Sequence, residues 1–202
     1  MEIYPSIERT IIKTPIIAFD KIDGSNIRVE WNRKSGFSKF GTRKRLLDPN
    51  ESVLGEAVEL FNEKYSQDLE QIFRKKKLQR ATAFLEFAGA NSFAGQHEEE
   101  DHDITLIDLH VYKMGMLTGK EFLNWFGNLD IPGVLYQGTP NEKFIESVRN
   151  STLKNMGFEG VVCRGGIDNR QRPMSFKIKT NAWLDSVKAK YGNDPKTLEY
   201  VL

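Results

Sequence analysis

Seven short runs rich in β-branched and aromatic residues, at Pro15–Phe19, Ile27–Trp31, Gly36–Phe40, Ala81–Phe87, Ile104–Tyr112, Gly160–Arg164 and Met174–Lys179, limit what this chain can become. Each has the length of a strand and is bounded by turn-forming residues. Helical patterns fall between some of these runs but do not alternate with them regularly, which predicts an antiparallel or mixed α+β architecture rather than repeated βαβ units. Asp48-Pro49-Asn50-Glu51, Thr118-Gly119-Lys120-Glu121 and Thr139-Pro140-Asn141-Glu142 each place a capping residue three positions before a glutamate, the signature of a helix start. After the first, Val53, Ala57, Phe61, Tyr65, Leu69 and Ile72 recur at three- and four-residue steps, predicting a helix that reaches about Lys75 with one buried face. Ala182–Lys190 reads as a short closing helix.

At 202 residues the chain is long enough for one domain with a real core, and no repeat or Pro/Gly/Ser-rich linker suggests a boundary, so 1–202 is expected to be a single domain. The single cysteine, Cys163, cannot form an internal disulfide, which predicts a reducing, cytoplasmic setting. The start MEIYPSIERT has neither the basic head nor the apolar run of a signal peptide, and no stretch is apolar enough for a membrane helix. A soluble protein with no membrane partner is expected.

The net charge of +1 conceals segregation. Lys39, Arg43, Lys44 and Arg45 form one basic cluster, Arg74 to Lys77 with Arg80 a second, and Lys177, Lys179, Lys188 and Lys190 a third. Acid gathers in the run Glu98 to Asp103, with His97 and His102; its ligands are too dense for a standard zinc or EF-hand spacing, and it reads as a solvated loop.

The hexapeptide Lys21-Ile22-Asp23-Gly24-Ser25-Asn26 lies between two predicted strands. A lysine closing one strand before a glycine turn can project its amine into a groove, with backbone amides and Asn26 close by; an ordinary turn with an exposed lysine is the alternative. In Phe176-Lys177-Ile178-Lys179 the two lysines share one face of a strand, either as part of a phosphate site or as the wet side of an amphipathic strand. Glu86 sits among apolar residues and, if it faces inward, needs a partner.

Taken in order, Lys21-Ile22-Asp23-Gly24, Thr42-Arg43, Phe84-Leu85-Glu86-Phe87-Ala88-Gly89, Leu106-Ile107-Asp108, Glu159-Gly160-Val161-Val162 and Phe176-Lys177-Ile178-Lys179 resemble the covalent nucleotidyltransferase superfamily of polynucleotide ligases and capping enzymes, and most of all its RNA ligase 2 type. The resemblance covers about residues 15–180. It implies an ATP-grasp-like nucleotidyltransferase (adenylation) domain of antiparallel or mixed sheets flanked by helices. By resemblance, Lys21 is the nucleophile that attacks the α-phosphate of ATP, Lys177 and Lys179 hold that phosphate, and Glu159 serves Mg²⁺ or Mn²⁺. Asp20, Ile22, Asp23, Asn26, Arg43, Glu86, Ile107 and Val161 are the implied nucleotide-binding positions, with Glu86 on the ribose and Arg43 on phosphate.

The chemistry accounts for those residue types. An unperturbed lysine is only about 0.04% neutral at pH 7, so a lysine nucleophile needs activation. Positive neighbours and desolvation both favour the neutral amine. Magnesium leans on one or two carboxylates plus substrate phosphates, which suits a single glutamate.

Two positions depart from the family pattern. Asp23 stands where the RNA ligase 2 type has histidine and follows the general Lys-x-Asp-Gly form instead. Ile107 stands where an aromatic residue usually stacks on the base, leaving Val161 or Phe19 to cover it. Only 23 residues follow Lys179 (202 minus 179), too few for the OB-fold domain of DNA ligases and capping enzymes, so no C-terminal OB or helical domain is expected.

The resemblance thus implies an ATP-dependent RNA ligase core that forms a lysyl-AMP intermediate, passes AMP to a 5′-phosphate RNA end and seals it to a 3′-hydroxyl. A DNA nick ligase, a GTP-dependent guanylyltransferase, and a non-catalytic nucleotide- or RNA-binding module are the alternatives. A phage-like origin, with the host cytoplasm as its setting, goes with the ligase reading; oligomeric state is not legible.

Overall fold

The computed structural model describes residues 1–91 and 99–192, and these fall into two compact units that share the chain in alternating segments. The first comprises Met1–Ser6, Asp23–Pro132 and Ile167–Pro173; the second comprises Ile7–Ile22, Gly133–Gly166 and the segment from Met174 onward. Both units are α+β, as the sequence predicts. No described helix is long and apolar enough to cross a membrane.

The first unit is built on a five-stranded antiparallel sheet. Its strands are β2 (Ser25–Asn32), β3 (Gly36–Thr42), β4 (Arg80–Ala88), β5 (Asp103–Val111) and β6 (Gly115–Met116), in the order β3-β2-β4-β5-β6. Helices α1 (Glu56–Lys64), α2 (Ser66–Lys75) and α3 (Gly119–Phe126) belong to the same unit. The apolar stripe expected from the sequence is real over Ala57, Phe61, Tyr65 and Leu69, all buried, and it ends on Phe73 rather than Ile72. Phe73 meets Trp31 edge-on at 5.3 Å, and Phe61 meets Phe37 at 4.9 Å, so aromatic edges join these helices to β2 and β3.

The single helix expected from Asp48 to Lys75 is instead a turn followed by two helices. The Asp48 carboxylate accepts from the Asn50 amide at 2.9 Å, an Asx turn that satisfies the side chain without starting a helix. The break falls at Tyr65 (φ −130°), whose buried hydroxyl donates to the Asp130 carbonyl at 2.7 Å and accepts from the Leu106 amide at 3.2 Å. Thr118 does form the expected capping box with Glu121. Of the acidic run, His97 and Glu98 lie outside the described residues; His102 bonds Glu56 and the Ala90 carbonyl, and Asp103 opens β5 while pairing with Lys64 at 2.7 Å.

The second unit holds a four-stranded sheet in the order β7-β1-β8-β9, made of β7 (Val134–Gly138), β1 (Ile16–Asp20), β8 (Gly160–Ile167) and β9 (Pro173–Lys179). Strand β1 is antiparallel to both neighbours, with Asp20 opposite Val161. Helices α4 (Glu142–Arg149) and α5 (Asn181–Tyr191) belong to this unit. Its core collects Ile16, Ala18, Phe144, Val148, Val161, Cys163, Phe176 and Ile178. Strand β7, with little period-two alternation, and the two-residue β6 were not evident from sequence.

Helix α4 starts two residues later than the Thr139 motif suggests, because Asn141 is the cap, its Oδ1 accepting from the Phe144 amide at 2.9 Å. Asn141→Ala should therefore destabilise the protein by about 1 kcal/mol. Thr139→Ala should change stability by less than about 0.5 kcal/mol, both read by chemical denaturation.

Candidate active site

Three strand ends of the second unit converge on one carboxylate. Lys21 follows β1, and its amide donates to the Gly160 carbonyl at 3.0 Å, extending the β1–β8 pairing by one residue. Glu159 precedes β8, and its carbonyl accepts from the Thr180 amide at 3.0 Å, just beyond β9. Main-chain bonds thus hold Lys21, Glu159 and Lys179 close together before any side chain acts.

Glu159 is 3% exposed and is answered by two lysines. Its Oε2 lies 2.8 Å from Lys21 Nζ, and its Oε1 lies 2.9 Å from Lys179 Nζ. A buried carboxylate left alone would be costly; here each oxygen has its own cation. Lys179 also sits 3.5 Å from the centroid of the buried Trp183 ring on α5, a cation–π contact that leaves its ammonium between a carboxylate and an aromatic face. Thr180 sets that helix in place, its hydroxyl accepting from the Trp183 amide at 3.0 Å and donating to the Phe158 carbonyl at 2.7 Å.

Strand β9 alternates as expected. Phe176 and Ile178 enter the core, while Lys177 and Lys179 occupy the other face. Burial first, then the charges of Lys179, Lys21 and Arg9, push Lys177 down to about 8. Three cations around one carboxylate leave this centre with a local positive excess, an arrangement that receives phosphates.

Asp20 faces the loop that carries Glu159: its Oδ1 accepts from the Gly157 amide at 2.7 Å, and burial raises its carboxyl above the ordinary range. It acts as a positioning residue for the segment between 157 and 159. Gly160 has φ +133°, and a Cβ there would stand 2.1 Å from the Ile178 carbonyl oxygen, so glycine is what lets β8 and β9 close beside Glu159. Val161 is wholly buried in the core cluster, and Phe19 is 3% exposed with the Arg164 guanidinium 5.9 Å from its ring centre. Ile22 is the last residue of this unit before Asp23 opens a long segment of the first.

The remaining candidates belong to the first unit. Asp23 is buried, and Gly24 lies so close to Phe87 that a Cβ would stand 2.3 Å from its carbonyl oxygen. Asn26 on β2 pairs in register with Glu86 on β4. The Asn26 Nδ2 donates to the Leu85 carbonyl at 3.3 Å, while its buried Oδ1 has no partner among the described residues, an acceptor suited to a hydroxyl donor. Ile107 is the extra residue of a bulge in β5, since Phe84 faces Asp108 while Leu85 faces Leu106. Arg43 is exposed just after β3.

Sequence reasoning missed Trp183, Arg9 and Gly157. Trp183 carried a readable signal, three residues after a threonine cap. Arg9 and Gly157 carried none, since each acts through proximity that only the fold creates. No group of three or more His, Cys, Asp or Glu side chains among the described residues could hold a metal. A divalent ion here would rest on Glu159, water and ligand phosphates, a donor set that fits hydrated magnesium.

Two outcomes test this geometry. Lys177 is charged in the folded state only below about 8, against 10.5 for a free lysine, so the unfolded chain binds more protons between those values. Stability should therefore rise across that window, and Lys177→Met should lose this increment relative to wild type in denaturant titrations at several pH values. Gly160→Ala should cost more than about 1–3 kcal/mol, since the clash with the Ile178 carbonyl adds to the strain at a positive φ.

No protein-family model matches this sequence, and neither does any curated protein. Solved structures match the fold. The chain is similar to a Naegleria gruberi RNA ligase mutant with AMP and Mn, at 16% identity and TM-score 0.66, over 91% of this chain and 57% of that one. It is similar as well to an apo mutant of that ligase, at 17% identity and TM-score 0.67, over 91% and 57%, and to a mutant with ATP and Mn, at 17% and 0.66, over 91% and 58%. The chain spans a little over half the length of these structures.

Proposed function

We propose that this chain is the nucleotidyltransferase core of an ATP-dependent RNA ligase, with Lys21 as the nucleophile. The observation that carries the reading is the buried Glu159 carboxylate held between Lys21 and Lys179, with Lys177 on the same strand face as Lys179. A binding module has no need of a lysine beside a carboxylate that other cations can also occupy. The ATP and AMP complexes of the Naegleria gruberi ligase support ATP as the nucleotide.

In the resting arrangement Glu159 holds the Lys21 ammonium in an ion pair. Once Glu159 is drawn elsewhere, Lys21 is left near Lys177 and Lys179, and like charge favours loss of its proton. After the ammonium gives one proton to solvent, the neutral amine attacks the α-phosphorus, a P–N bond forms as the nitrogen gives a second proton to solvent, and the bond from the α-phosphorus to the α,β-bridging oxygen breaks, its electron pair leaving on pyrophosphate. Lys177 and Lys179 stabilise the negative charge that gathers on the α-phosphoryl oxygens. A bound Mg²⁺ or Mn²⁺ would supply further charge at the phosphates and compete with Lys21 for Glu159. Within the second unit, Asp20, Ile22 and Val161 support the strand ends that carry Lys21 and Glu159; within the first, Asn26 Oδ1 and Glu86 are suited to ribose hydroxyls and Arg43 to phosphate, with Asp23 and Ile107 as further candidates.

The same centre would then pass AMP from Lys21 to a 5′-phosphate RNA end, and attack by a 3′-hydroxyl would close the phosphodiester and release AMP. The near-buried cations that receive the α-phosphate in the first step serve the same phosphoryl group in the second.

Incubation with Mg²⁺ and ATP labelled at the α-phosphate should yield an acid-labile, alkali-stable covalent adduct that is absent in Lys21→Ala. Lys179→Ala should slow adduct formation by about 100-fold or more in single-turnover assays. No adduct from ATP or GTP, or an undiminished adduct in Lys21→Ala, would overturn the proposal.

A further inference from the structure

The second basic cluster of the sequence takes no part in the chemistry above. In the first unit it gathers at one end of the sheet. Lys75 closes α2, Lys76 and Lys77 follow it, and Arg80 opens β4. Arg33, in the turn after β2, donates its amide to the Gln79 carbonyl at 3.0 Å, and the Tyr112 amide bonds the Arg80 carbonyl at 3.0 Å, so main-chain bonds tie these segments together. Lys113 follows Tyr112 in the loop between β5 and β6. All six cations are exposed, and none pairs with an acid among the described residues, whereas Arg74 is bound to Glu70.

Aromatic faces are interleaved with these charges. Tyr112 is 45% exposed, with the Arg80 guanidinium 4.4 Å and Lys113 Nζ 5.6 Å from its ring centre. Lys76 Nζ sits 3.9 Å from the Trp125 ring centre on α3. Cations over aromatic faces beside an unpaired basic surface match how single-stranded nucleic acid is held, by phosphate contacts and base stacking.

Two of the lysines stand where the backbone favours another residue. Lys77 has φ +57° just after α2, with the Leu78 amide bonded to the Phe73 carbonyl at 3.0 Å, a helix ending that glycine or asparagine fits best. Lys113 has φ +68° in its loop. Strain retained at a charged side chain points to use of the charge.

We infer that this end of the first unit is a docking surface for the phosphate backbone of RNA; the inference rests on the ligase proposal and extends it to how substrate is held. Asn26 and Glu86 lie toward the opposite end of β2 and β4, and the six strand steps from Asn26 to Asn32 span about 20 Å. The surface therefore grips RNA away from these nucleotide-binding candidates. It reads charge rather than sequence.

The test measures binding of a 5′-phosphorylated 20-nucleotide RNA by fluorescence anisotropy over a range of salt. The triple variant K75E/K76E/R80E should bind at least about tenfold more weakly, and the slope of log K against log salt should fall by roughly 2, at about 0.7 for each phosphate no longer neutralised. Its Lys21 adduct should form at the wild-type rate. The double variant K77G/K113G relieves strain while removing charge, so it should melt no lower than wild type yet bind RNA more weakly; a purely structural role would leave its affinity unchanged. Wild-type affinity and salt slope in the triple variant would overturn the inference, as would polyglutamate displacing RNA as well as an RNA competitor of equal charge. Absence of the Lys21 adduct in wild type would sink the ligase reading, and the anisotropy measurement would still decide the surface by itself.

Discussion

A carboxylate with 3% exposure must be compensated where it lies, and at Glu159 the compensation comes from two lysines on two different strand ends. Much of the second unit can be understood as the means of bringing those ends together. Strand β1 delivers Lys21, β9 delivers Lys179, and β8 begins at the residue after Glu159. The positive φ of Gly160 lets the neighbouring backbones close, and the Asp20 carboxylate fixes the loop that leads into Glu159. The ion pairs are poor sources of net stability, since desolvation offsets their attraction. Their value in the proposed reaction lies in being exchangeable: the carboxylate that holds Lys21 can be answered by other cations, and withdrawal of its charge is what frees the amine.

Alternation along one strand performs two tasks. Phe176 and Ile178 supply apolar area to the core, while Lys177 and Lys179 receive the rigidity that such packing confers. A lysine on a loop would lose several side-chain rotamers on meeting a phosphate; Lys179, held by Glu159 and Trp183, has already lost them on folding. Lys177 shows the opposing tendency, because the packing that orders it also desolvates it and pushes its ammonium down to about 8. A phosphate entering that face would restore the charge the fold has made expensive.

The strands were legible because they follow local rules. Period-two alternation put Lys177 and Lys179 on one face and the Lys21 to Asn26 peptide marked one converging strand end, whereas Glu159-Gly160 stood out only through the family resemblance. Helix starts were less legible: Asp48 and Asn141 are both capping types, yet Asp48 spends its carboxylate on a turn, while Asn141, two residues after the apparent signal at Thr139, caps α4. The break at Tyr65 depends on hydroxyl partners at Asp130 and Leu106, far along the chain, which no window of sequence contains. Arg9 was invisible for the same reason, since it bears on Lys177 only after the chain segment bearing Glu8 has paired with β9.

Near-equality of 29 basic and 28 acidic residues is consistent with both sites because the two signs are unevenly distributed, many of them meeting in local pairs. Glu30 answers the N-terminus and Lys39, Glu51 answers Arg45, Asp103 and Asp130 answer Lys64, and Asp168 answers Arg172. Each pair cancels within a few ångströms, well inside the screening length of about 8 Å at physiological salt, so beyond it a polyanion senses chiefly what has not been cancelled. The local excess of lysine around Glu159 and the cations beyond α2 that no acid among the described residues answers are two such remainders, one largely buried and suited to a single phosphoryl group, the other exposed and suited to a chain of them.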